Sequence, residues 1–206
     1  MKASTKLIDN CLTIINEKYG THSQHYLPYH NEEHAHDVMD AAKAIGIESA
    51  VLPHELELLE IAACFHDVEH GIGHGEDERT SAEIAGSCMQ QAGYTVADIK
   101  RVKAMILATV VSFKDGTIYQ SASEDVLTQI IADADLASFG RPFNTFWDRS
   151  LKLRAENGQI DELIGEVKDT FISTQTQVLQ KHQYYLQATE IVFPHKSTNI
   201  RRLDSV

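Results

Sequence analysis

"ELELLEIAACFHDV", Glu55 to Val68, is the stretch that decides the fold. Leu58, Leu59, Ala62, Ala63 and Phe65 make it apolar nearly all round, where a surface helix would carry a single stripe. The pattern predicts a central, buried helix. At its C-terminal end stand His66 and Asp67, and burying a free charge there costs several kcal/mol. A metal ion removes that cost by taking imidazole and carboxylate as ligands. Adjacent helix positions lie about 100° apart, so only a metal at the helix edge meets both. Its other ligands must come from other helices.

Around this segment helical patterns dominate. "TKLIDNCLTIINEKY" places Leu7, Cys11, Ile14 or Ile15, and Tyr19 on one stripe. "TSAEIAGSCMQQAG" predicts a helix capped by Thr80 or Ser81 and stopped at Gly93. "VADIKRVKAMILATVVSF" and "SEDVLTQIIADADLASFG" follow, then "PFNTFWDRSLKLRAEN" with Pro142 near a helix start. "DELIGEVKDTFISTQTQVLQKHQYYLQAT" reads as one long helix or two. "TVVSF" alone could be a strand, and it continues a helical stripe equally well. The expected class is all-α. At 206 residues the chain is expected to form one domain, 1–206.

Three more places set ionisable residues in an apolar or crowded context. "LPYHNEEHAHDVMD", Leu27 to Asp40, holds three histidines and four carboxylates in fourteen residues. "IIADADLASFG" places Asp133 and Asp135 among core-type neighbours, and buried aspartates are rare unless paired or coordinating. The glycine-rich loop after the central helix carries His70 and His74.

Bulk composition narrows the classes. The chain is 43% hydrophobic and 23% charged, with net charge −12, which argues against a broad nucleic-acid or anionic-membrane surface. An anionic substrate would need a local positive centre, and a metal ion supplies one. Cys11, Cys64 and Cys88 lack CxxC spacing and read as reduced thiols. The N-terminal segment lacks a signal-peptide apolar region and no run approaches a membrane span, so a cytoplasmic location is expected. The sequence assigns no oligomeric state.

The pattern H…HD…D, carried by His34, His66-Asp67 and Asp135, resembles the HD superfamily of metal-dependent phosphohydrolases over most of the chain. "YHNEEHAHDV" and "HDVEHG" resemble motifs of class I cyclic-nucleotide phosphodiesterases. "EDERTSAEIA", "ILAT" and "DADLASFG" are more similar to a bacterial branch of HD phosphohydrolases. The resemblance implies an HD-type helical bundle. It implies His34, His66, Asp67 and Asp135 as ligands of a first metal, with Asp67 able to bridge to a second. The "ADLAS" alignment favours Asp135 over Asp133. His30 would protonate the leaving oxygen, and His70 would stand behind the first ligands or on a second metal. Departures are Asp77-Glu78, where the bacterial branch often has Asn-Glu, and Val-Val-Ser after "AT", where it has a histidine. No one of Gln175, Gln177, Gln180 and Gln183 is singled out as a purine-holding glutamine.

The implied activity is hydrolysis of a small phosphoester, foremost a nucleotide, as phosphomonoester or phosphodiester. The attacking group would be a metal-bound hydroxide, with His30 as general acid and Asp67 and His70 also at the reaction centre. The cofactor is one or two divalent ions, with zinc, manganese, iron, nickel and magnesium as candidates. A bound ion lowers the pKa of water from 15.7 towards ~7 and neutralises phosphoryl oxygens. An imidazole with an ordinary pKa near 6.5 suits proton donation at neutral pH. The alternative is a catalytically silent metal- and nucleotide-binding sensor domain.

A competing motif is also visible: His30, Glu33 and His34 fit the H-x-x-E-H pattern of zinc proteases. That motif needs both histidines on one helical face. Asn31 is a good N-cap, which places His30 outside the helix. The remaining expectations concern the surroundings. His36 and Asp37 should be at the surface or behind the site, and His22, His25, His54, His182 and His195 at the surface. Trp147 should be core. Arg79, Lys103, Arg141 and Arg154 are ordinary surface charges before they are phosphate ligands.

Overall fold

The computed structural model describes residues 3–114 and 116–206. Pro53 opens the central helix, α3 (Pro53–Phe65), and the Glu55 carboxylate accepts from the Leu52 backbone N–H at 3.0 Å. Every residue from Ile61 to Phe65, together with Leu58 and Leu59, is fully buried, as the all-round apolar pattern requires. Around α3 lie α1 (Ala3–Tyr19), α2 (Glu32–Glu48), α4 (Glu76–Gln91), α5 (Val96–Ala108) and α6 (Val126–Asp135), each packed against it. α1 presents Leu7, Cys11, Ile15 and Tyr19 to this core, the stripe expected from its sequence.

The C-terminal third adds a 3-10 turn (Ala137–Gly140), α7 (Phe143–Glu156), α8 (Gly165–Lys181), α9 (Gln187–Val192) and α10 (Lys196–Leu203). These carry a second apolar cluster of Phe139, Phe143, Phe146, Val178, Leu179 and Leu203, with Trp147 partly buried against it. The segment from Asp161 thus forms two helices, broken at 182–186. Among the described residues no helix is long and apolar enough to cross a membrane.

The class is all-α, with one open segment decided and one helix boundary corrected. "TVVSF" does not continue α5: Val111–Lys114 forms β1, paired antiparallel with β2 (Thr117–Gln120) in the register Val111↔Gln120. α4 begins at Glu76, earlier than Thr80 or Ser81. Asp77 makes that start by accepting the backbone N–H groups of Gly71, Ile72 and Gly73 at 3.0, 2.7 and 3.1 Å. Ser81, fully buried, instead accepts the Glu69 N–H at 3.1 Å. That bond holds the loop after α3 against α4.

Candidate metal centre

Three helix ends converge. His34 lies in the first turn of α2, whose N-cap Asn31 accepts the Glu33 N–H at 2.9 Å. His66 caps the C-terminus of α3, Asp67 follows it, and Asp135 is the last residue of α6. His34 Nε2 stands 3.3 Å from His66 Nε2, 3.4 Å from Asp67 Oδ2 and 3.3 Å from Asp135 Oδ1. His66 Nε2 stands 2.9 Å from Asp67 Oδ2 and 3.5 Å from Asp135 Oδ1. Nitrogen and oxygen donors bound at ~2.1 Å in tetrahedral geometry lie roughly 3.4 Å from one another. The four residues therefore already have the spacing of a ligand set and could hold a metal ion.

The surroundings orient these donors. His66 Nδ1 donates to the Ala63 carbonyl at 2.7 Å, which fixes the tautomer whose Nε2 lone pair faces the cluster. Burial opposes protonation of both imidazoles, but the Asp67 and Asp135 carboxylates outweigh it and raise both pKa values. Burial likewise opposes ionisation of Asp67 and Asp135, and the histidines outweigh it and hold both carboxyls down. Two bases and two acids thus face one another at the edge of the core, an arrangement that a cation at their centre would suit.

A second group abuts the first. His30 Nδ1 hydrogen-bonds the Glu156 carboxylate, and His30 Nε2 faces Asp67 Oδ2 at 3.9 Å. Glu156 Oε2 also accepts the backbone N–H groups of Tyr29 and His30 at 2.9 and 3.0 Å. His70 stacks on His30, with ring centroids 4.3 Å apart, and its Nε2 is 3.6 Å from Glu156. Burial and the nearby His30 push the His70 pKa down. His30, His70 and Glu156 form a second group with metal-binding spacing.

No family model matches the sequence, and no curated protein sequence matches it. The fold is similar to that of the crystal structure of the phosphodiesterase domain of Salpingoeca rosetta rhodopsin phosphodiesterase, with a TM-score of 0.69 at 16% identity. The match covers 99% of this chain and 80% of that one. At that identity the likeness establishes the fold.

All six residues singled out in the sequence, His30, His34, His66, Asp67, His70 and Asp135, fall within these two groups. His30 precedes α2 and does not share its face with His34, which breaks the protease motif. Asp133 points away. Its carboxylate accepts the Tyr185 and Leu186 N–H groups at 2.8 and 3.0 Å and the Thr189 hydroxyl at 2.6 Å, binding α9 to α6. Asp37 is held by Arg149 at 2.7 Å, with the Arg141 guanidinium on its carbonyl. His74 is exposed, with its ring 3.5 Å from the Ser112 hydroxyl on β1.

One of the supposed surface histidines is not at the surface. His182 is buried against the rings of Phe139 and Tyr184. Three further residues stand at the site beside the six expected there, and of these only Glu78 lies in a stretch quoted for the family resemblance. Glu156 is a carboxylate in the last turn of α7, against the helix dipole, and that unfavourable placement was its one signal. Glu78 has an Oε2 that is buried without a hydrogen-bond partner among the described residues, and burial followed by the nearby carboxylates raises its pKa. Gln120, on β2, donates to Asp135 Oδ2 at 2.9 Å.

Proposed function

We propose that this chain is a metal-dependent phosphohydrolase acting on a small phosphoester, with nucleotides as the substrate class. The observation that carries the reading is the contact between the two groups: a His/His/Asp/Asp ligand set, with a carboxylate-held imidazole 3.9 Å from Asp67. The phosphodiesterase fold supports it.

His34, His66, Asp67 and Asp135 would hold the ion. A divalent ion there supplies water at a lowered pKa and neutralises the phosphoryl oxygens. His30 acts on the leaving group. With Nδ1–H donated to Glu156, its Nε2 is the atom that carries a proton towards the ester oxygen. As the P–O bond breaks, that proton passes to the departing alkoxide, and Glu156 stabilises the imidazolium beforehand. Tyr29 packs on His34 at 4.6 Å, and burial together with the Asp135 and Asp67 charges raises its phenol pKa, so it stays protonated beside the site.

The test is a hydrolysis panel of nucleoside mono-, di- and triphosphates and cyclic nucleotides, using metal-stripped protein reloaded with zinc, manganese, iron, nickel or magnesium. Metal-dependent turnover of one of these classes is expected. Binding of metal and nucleotide without turnover would instead make the chain a sensor domain.

A further inference from the structure

Asp135 has two oxygens with different partners. Oδ1 faces His34 and His66, while Oδ2 accepts a hydrogen bond from the Gln120 amide at 2.9 Å. The amide nitrogen must face the carboxylate, since the flipped amide would set oxygen against oxygen. Gln120 is the last residue of β2, outside the helical framework, and its position is itself fixed. The Tyr185 hydroxyl donates to the Gln120 carbonyl at 2.6 Å, and the Tyr185 N–H is one of the groups held by Asp133. A chain of hydrogen bonds thus runs from Asp133 through Tyr185 and Gln120 back to Asp135, two residues further along α6.

We propose that Gln120 is a positioning residue for the metal centre, with Tyr185 and Asp133 as its support. By occupying Oδ2, Gln120 restricts Asp135 to one ligating oxygen and sets the rotation of the carboxylate towards His34 and His66. This rests on the reading of Asp135 as a metal ligand. It also gives the hairpin a function: the strand pair carries the donor to the end of α6. Partners that orient a ligating carboxylate typically contribute 10- to 100-fold to metal affinity. Tyr185 is 43% exposed, so its hydrogen bond is the weaker link of the chain.

Gln120→Met keeps the length of the side chain and removes the donor. The experiment titrates metal-stripped wild type, Gln120→Met, Tyr185→Phe and Asp135→Ala with Co²⁺ against a chromophoric chelator, recording the visible spectrum of the bound ion. Expected is a 10- to 100-fold weaker Co²⁺ affinity for Gln120→Met with an altered spectrum, a smaller loss for Tyr185→Phe, and unchanged melting of all apo forms except Asp135→Ala. If Asp135→Ala loses Co²⁺ while Gln120→Met binds with wild-type affinity and spectrum, the positioning role is overturned and the metal centre stands. If wild type binds no Co²⁺, or Asp135→Ala binds it as wild type does, the metal reading of Asp135 itself fails.

Discussion

His30 and His34 look like a pair in the sequence, yet Asn31 divides them: one precedes α2 and bonds Glu156, the other lies within it and faces the ligand cluster. Their substitutions should therefore differ in kind. His34→Ala should lose metal and activity together. His30→Ala should keep its metal and lose roughly 10²–10⁴-fold in turnover, with a smaller loss on p-nitrophenyl esters, whose leaving group needs little protonation. Elemental analysis beside kinetics on both variants checks this, and a metal-free His30→Ala would make His30 a ligand. The aspartates divide similarly. Asp135→Asn should weaken metal binding far more than Asp133→Asn. Asp133→Asn should instead lower unfolding stability by about 1–3 kcal/mol, because its amide cannot accept all three donors around Asp133. The candidate ligands were legible because a His-Asp pair at the end of a buried helix needs a reason. Glu156 was not, because only the folded loop brings residue 156 to residue 30.

At the scale of elements, α3 could be read directly, since no amphipathic alternative fits an all-round apolar segment. Leu59→Ala in its centre should cost about 2–5 kcal/mol in denaturant unfolding, the usual loss at a fully buried leucine. A cost near zero would mean that α3 is not the core. The α4 boundary was misread because Ser81 looks like a cap. Asp77 outcompetes it by gathering three backbone donors of the glycine-rich loop. The sequence leaves "TVVSF" open between strand and helix, and Gly116 at φ +72° supplies the turn that the hairpin needs. The preceding apolar run continues the α5 stripe, and that periodicity masked the break after Ala108.

For the molecule as a whole, His182 contributes to the pH dependence of stability away from the candidate metal centre. Burial, with the Lys196 charge nearby, pushes the His182 pKa down to about 4. The folded state therefore keeps this imidazole neutral, whereas the unfolded chain protonates it near pH 6.5. The contribution is fully present above pH 6.5 and lost as pH falls through about 4. The loss should reach about 3 kcal/mol. His182→Leu should remove it, so the stability difference between variant and wild type should change across pH 6.5 to 4. A constant difference would show that His182 titrates normally. Sequence patterning could not place His182, because its burial depends on the second apolar cluster, built by helices distant in the chain.

The most direct test of the metal centre as a phosphohydrolase site couples occupancy to turnover. Metal-stripped protein is titrated with Mn²⁺ while bound metal and p-nitrophenol release from p-nitrophenyl phosphate and its bis ester are measured together. Turnover should rise in proportion to bound metal and be absent in Asp67→Ala. Turnover that persists in stripped protein or in Asp67→Ala would contradict it.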